Sequence, residues 1–158
     1  MSVSTSETSG LVTDMAGLRE LAGQHAGYTE WATMEQDRVN RFADATDDHQ
    51  WIHVDIERAK DSPFGGTIAH GYLTLSLVAP IMDELVKVTD ATTGINYGVD
   101  RVRFPAPLPV GARWRGGAEL VEVTEVAGGL QMKARVTIEV EGAEKPSMVA
   151  DVLVRLYG

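Results

Sequence analysis

Within the short stretch Asp47-Asp48-His49-Gln50-Trp51-Ile52-His53 stand two carboxylates and two imidazoles, with Asp44 just upstream. A carboxylate and an imidazole in one irregular loop can hold a single water between them. Imidazole is also the side chain best matched to proton transfer near neutral pH. Asp48 and His53 are five positions apart, a spacing that no face of a regular helix brings together. A loop would therefore have to fold them toward each other. Taken alone, these residues describe a solvated loop with aspartates satisfying turn amides somewhat better. His49 and His53 have the i,i+4 spacing of paired metal ligands, but the glutamate of a zinc-protease helix is absent and no third ligand is evident. Among the other imidazoles, His25 reads as an ordinary surface residue and His70 as a supporting or structural one.

A second stretch, Gly65-Gly66-Thr67-Ile68-Ala69-His70-Gly71, leads directly into an apolar helix-like segment. A helix start offers backbone N–H groups without intrahelical partners, together with the positive end of the helix dipole. Gly71 has no side chain to shield its amide, so an acyl carbonyl can approach closely and be polarised as its charge grows toward an enolate. Taken alone, Gly71 is better explained by close packing of the helix.

The elements that must position these groups follow from periodicity and punctuation. Residues 1–12 are expected to be a flexible tail. Residues 14–22 are expected to form a short helix with Met15, Leu18 and Leu21 on one side, and residues 28–33 a short strand. Thr33-Met34-Glu35-Gln36 has the form of a capping box, which predicts a helix starting at Thr33. That helix carries Val39, Phe42 and Ala43 on one face and ends near Thr46. Asp55 is expected to cap a short helix running to Lys60, and Ser62-Pro63-Phe64-Gly65-Gly66 forces a loop. From about His70 to Val86, apolar residues fall on nearly every side, which predicts a helix buried all round. Residues 93–104, 113–126, 130–140 and 147–156 are rich in Val, Thr and Ile and are separated by Pro- and Gly-containing turns. They predict an antiparallel meander of long strands. The expected fold class is α+β, a curled antiparallel sheet wrapped around one long helix, with residues 13–158 as a single domain.

Composition sets the outer limits. A chain of 158 residues with 44% apolar content suffices for one domain with a real core. The absence of cysteine excludes disulfides, thiolate metal sites and cysteine nucleophiles. A net charge of −9 disfavours nucleic-acid partners. No apolar run reaches the roughly 20 residues needed to cross a bilayer. Nor does the start of the chain read as a signal peptide, so a cytoplasmic location is expected. Against the acidic background, Arg101, Arg103, Arg113 and Arg115 fall within fifteen residues.

From about Phe42 to the C-terminus, the chain resembles the MaoC-like dehydratases, a family that includes (R)-specific enoyl-CoA hydratases and NodN-like proteins. The family motif has its counterparts in Phe42, Thr46, Asp48, Ile52, His53 and Ala59, and Ile68-Ala69-His70-Gly71 follows at the expected distance. Three positions depart: Asp47 stands for Gly, Gln50 for Asn and Trp51 for Pro, and the Gln-Trp pair is similar to the NodN-like branch. Aspartate tolerates left-handed backbone geometry better than most residues, which suits Asp47 to a glycine position.

The resemblance implies a hot-dog fold and a homodimer or higher oligomer, with the thioester in a tunnel near the subunit interface. It also implies a hydro-lyase acting between trans-2-enoyl and 3-hydroxyacyl thioesters, with no metal and no redox cofactor. Asp48, His53 and Gly71 take the catalytic roles; Gln50, Arg101 and Arg103 are candidate substrate contacts, the arginines toward CoA phosphates. A thioesterase on the same fold and a non-catalytic acyl-thioester binding module are the alternatives. The first would place a carboxylate on or near the central helix, where Asp83 and Glu84 lie far down.

Overall fold

A computed structural model describes residues 10–158. The N-terminal strand β1 (Leu11–Thr13) lies parallel to residues 86–88, so the end of the expected tail is an ordered strand; residues 1–9 fall outside the described residues. In place of the expected helix over 14–22, Asp14 accepts a hydrogen bond from the Gly17 amide at 2.8 Å and a single 3-10 turn follows at Leu18–Leu21. The expected strand over 28–33 is two short ones, β2 (His25–Tyr28) and β3 (Ala32–Thr33).

Helix α1 (Gln36–Thr46) starts three residues later than the capping box suggests. Thr33 is spent in β3, paired with Arg113, and the Met34 backbone bonds to Ala112 and Gly111. Sheet pairing outcompetes a local cap there, and the Gln36 side chain is left for another task. Val39 and Ala43 of α1 are buried, as their spacing predicts. Two single-turn helices follow, α2 (Trp51–Val54) and α3 (Ile56–Ala59), and Asp55 caps the second by accepting from the Arg58 amide. The stretch expected to be irregular throughout therefore ends in a helical turn that carries His53.

The central helix runs in two pieces, α4 (Gly71–Ser76) and α5 (Val78–Leu85). Pro80 explains the break: it offers no N–H to the Ser76 carbonyl four residues back, and its ring crowds that carbonyl. The helix is not buried all round. Leu73, Leu77, Ile81 and Leu85 face the core, whereas Tyr72 is 73% exposed and Ala79, Pro80, Asp83 and Glu84 are exposed as well. Its contact with the sheet is close, since a Cβ on Gly116 would run into the Ile81 side chain. A side chain at position 116 would push the helix off the sheet.

After β4 (Val86–Val88), the long strands are β5 (Thr93–Arg103), β6 (Arg113–Val126), β7 (Gly129–Val140) and β8 (Met148–Tyr157). All pair antiparallel, but not as one meander. The order across the sheet is β2-β6-β7-β8-β5, with β3 also on β6. β5 therefore crosses to the far edge beside β8 instead of lying next to β6. Register shifts within β5 and in the middle of β6 mark bulges that help the sheet curl around the helix. A single apolar core joins Ile81 and Leu85 to Leu120, Val136, Ile138 and Ala150.

Candidate active site

The β5-to-β6 crossover is what encloses the site. Its residues pair with the segment that leads into α4: the Ala69 amide donates to the Leu108 carbonyl at 2.8 Å, and Val110 to Thr67 at 2.9 Å. Beneath it lies a largely apolar cavity of about 360 Å³, lined by His53, Phe64, Ile68, Gly71, Thr74, Phe104, Leu108 and Ser147 among others. His53 and Gly71, eighteen positions apart in the chain, face the same space.

Asp47 ends α1 in the left-handed conformation, with φ of 58°. The carboxylate that replaces glycine there is thus accommodated, and the turn directs Asp48 toward His53. Asp48 itself is exposed, and its carboxylate accepts weakly from the Gln50 amide at 3.4 Å, a local turn of the kind aspartate favours. A carboxylate oxygen of Asp48 and one ring nitrogen each of His53 and His70 lie within 4.8 Å of one another, close enough for one water to bridge the Asp48 carboxylate and the His53 ring.

The tautomer of His53 follows from its partner. Nδ1 is 2.7 Å from the Ile68 carbonyl, which can only accept, so Nδ1 carries the hydrogen and Nε2 presents a lone pair. His53 is 6% exposed. Burial pushes its pKa below the ordinary histidine value of 6.5, opposed by the Ile68 hydrogen bond and Asp48 and reinforced by His70. The ring thus stays a free base through neutral pH. The unfolded chain binds a proton at His53 more readily than the folded one, so stability grows as pH rises through the ordinary histidine range and falls below it. For an enzyme that uses His53 as a base, the acid limb of kcat/KM against pH should lie below that range. A limb at or above the ordinary histidine pKa would contradict a buried free base.

Other residues appear only in three dimensions. The Gln36 side chain donates to the His53 carbonyl at 2.8 Å and to Asn40 at 2.9 Å, and it accepts from the buried Thr67 hydroxyl. One amide thus ties the start of α1 to the turn bearing His53 and to the segment before α4. The spacing of these partners in the chain carries no signal of their contact. His70, expected to play a supporting part, is 2% exposed, and its ring stacks on that of His53 with centroids 3.9 Å apart.

Elsewhere the candidates scatter. His49 pairs with Asp44 at 2.9 Å on the surface, apart from the cluster around His53. Gln50 is exposed and contributes through its backbone, its carbonyl receiving the His53 amide. Arg101 and Arg103 are exposed on β5, near the end that runs into Phe104, but neither lines the cavity. Arg113 and Arg115 sit on β6, separated from β5 by two strands, and pair with Glu141 and Glu139. The four arginines therefore form no common patch. Asp83 and Glu84 are exposed, and Asp83 borders a different cavity.

The fold and the site together define a hot-dog protein with a carboxylate–imidazole pair beside a largely apolar cavity. The chain belongs to the family of the MaoC like domain, which it matches over residues 18–142. It is 49% identical over 142 residues to the 3-hydroxyacyl-thioester dehydratase Z of Mycobacterium tuberculosis, covering 89% of this chain and 94% of the relative. It is 44% identical over 140 residues to Nodulation protein N of Rhizobium meliloti, covering 87% of each. Among solved structures, an (R)-hydratase from A. caviae involved in PHA biosynthesis superposes with a TM-score of 0.69 at 22% identity, covering 85% of this chain and 96% of that one.

Proposed function

We propose that the protein adds water across the double bond of a trans-2-enoyl thioester to give the (R)-3-hydroxyacyl thioester, or removes it in reverse. The observation that carries this reading is the meeting of Asp48 and His53 beside a cavity that also reaches Gly71. The name of the Mycobacterium tuberculosis relative, a 3-hydroxyacyl-thioester dehydratase, supports it independently.

In the reaction, the thioester carbonyl accepts from the Gly71 N–H, which draws electron density from C3. Water held by Asp48 and His53 attacks C3 while His53 Nε2 takes its proton. Asp48 orients the water; the proton taken by His53 passes to Asp48, which delivers it to C2, so the pair ends the cycle as it began. Gln50 shapes the loop, and Arg101 and Arg103 extend from the cavity end of β5 toward the CoA phosphates.

The acyl chain has a continuation. Two further cavities, each of about 250 Å³, follow the one at His53. Along the central helix their walls pass from Gly71 and Thr74 to Leu75, Val78 and Ala79, then to Met82 and Val86. From Phe104, just past β5, they pass back along that strand to Val99 and Gly98, then to Asn96 and Gly94. This line suits an extended apolar chain.

The edge strand β5 exposes Ile95, Tyr97 and Val99, an open apolar edge that proteins ordinarily cover. A second copy covers it in this reading, making a homodimer and closing the trough into a tunnel. Sedimentation equilibrium should give a dimer that Val99→Lys dissociates; a monomeric parent chain would refute the pairing. The domain spans residues 13–158 with the β1 strand added. A cytoplasmic setting belongs to the same proposal, and the lack of cysteine suits a reducing compartment.

The test is a series of trans-2-enoyl-CoAs of increasing length, with chiral analysis of the product. Enoyl absorbance should disappear without thiol release, and kcat/KM should rise beyond the four-carbon substrate. Thiol release at comparable rate would make the protein a thioesterase; binding without turnover would make it a non-catalytic acyl-thioester binding module.

A further inference from the structure

His70 touches each of the three groups assigned to the chemistry, and the mechanism above gives it no task. We infer that His70 is a positioning residue that holds Asp48 and His53 in register with the Gly71 amide. This role rests on the hydratase reading of the site.

Three observations converge on it. His70 Nε2 lies 3.0 Å from the backbone carbonyl of Asp48, which can only accept, so the ring is the Nε2–H tautomer and donates to the catalytic loop. The same ring lies face to face with His53 at 3.9 Å and an interplanar angle of 22°, while Phe42 packs against it at 4.9 Å. Its own backbone caps α4, with its carbonyl accepting from the Thr74 amide at 3.0 Å, and the next residue is Gly71.

The loop needs such a tie. The other hydrogen bond described for Asp48 is the long one from Gln50 within the same turn, so the His70 donor is what fixes Asp48 to the body of the protein. His53 is set by its bond to the Ile68 carbonyl and by the His70 face. The remaining ring nitrogen, His70 Nδ1, is buried without a hydrogen-bond partner. A buried polar atom left unpaired is an expense that an aromatic side chain would avoid. Phenylalanine would fill the space and keep the stack; only histidine also supplies the donor to Asp48.

The substitutions separate these contributions. His70→Phe retains ring and volume and deletes the donor, whereas His70→Gln retains an amide donor at similar reach and deletes the ring. On a trans-2-enoyl-CoA, His70→Phe should lower kcat by about 10²-fold, the order expected when reacting groups are displaced by an ångström, with KM unchanged. His70→Gln should recover part of that loss, since it restores the tie to Asp48 but not the ring against His53. A purely structural role would make Phe the better tolerated of the two. Wild-type kcat in His70→Phe, or a Gln variant no better than Phe, would overturn the assignment. If His70→Phe does not fold, nitrogen-15 imidazole spectra of the wild-type protein decide: an Nε2–H tautomer at His70 supports the role, and an Nδ1–H tautomer ends it. The parent activity separates the two levels. No turnover of any enoyl thioester by the wild type removes the hydratase reading itself, whereas an active wild type with an indifferent His70→Phe removes only the positioning role.

Discussion

His53→Gln and Asp48→Asn should each lower hydration of a trans-2-enoyl-CoA by about 10²- to 10⁴-fold, the range that a positioned acid or base contributes. Both substitutions conserve shape. Gln at 53 keeps an N–H that can reach the Ile68 carbonyl, which His53 now engages at 2.7 Å, and Asn at 48 preserves the exposed turn. Thermal unfolding should therefore change little while turnover collapses. Because both groups act on one water, the double variant should be scarcely worse than either single one, a non-additivity expected of residues that work as a unit. Multiplicative losses would mean that the two act on separate steps. Near-wild-type turnover in both single variants would remove the pair from the mechanism.

The second large effect concerns a backbone hydrogen. Gly71→Pro deletes the amide assigned to the thioester carbonyl, at a position where the local backbone accepts proline. Residue 71 opens α4, and a first helical position tolerates the missing N–H. The preceding His70 has φ −60° and ψ 140°, the extended geometry required before proline. The expected loss in kcat is about 10²- to 10³-fold, or roughly 3 kcal/mol of transition-state stabilisation. Gly71→Ala is the control: it keeps the N–H and adds a Cβ that would lie 3.3 Å from the Phe104 ring. That contact is tight but adjustable, so Ala should cost much less than Pro. If the two variants lose activity equally, Gly71 serves packing against Phe104 and the carbonyl is held elsewhere.

The two arms of the site differed in how legible they were. Asp48, His53 and Gly71 stood out because their types and separations match a family motif, and the structure brings them to one place. Asp47 could be anticipated in a left-handed turn because aspartate is among the few residues that enter it readily. Gln36, Thr67 and the cavity wall from Phe104 to Leu108 gave no such sign. Their contacts join segments that nothing local relates, and a glutamine at a helix start reads first as a cap. The paired arginines misled for the converse reason. Nearness along the chain suggested one basic patch, yet strand order places β5 and β6 on opposite sides of two intervening strands.

What the sequence by itself determined is the set of local choices: strand β6 to the residue, the other three long strands within one or two positions, the Asp55 cap, and the apolar face of α1. These depend on side-chain alternation, β-branching and turn chemistry, which act over a few residues. Only the tertiary structure decided that β5 lies beside β8, that the crossover to β6 roofs the site, that Thr33 joins a strand instead of capping a helix, and that one side of the central helix remains open. Each is a competition between distant partners for the same backbone groups or the same apolar face. Its outcome depends on burial summed over the whole core, a quantity that no short window of the chain contains.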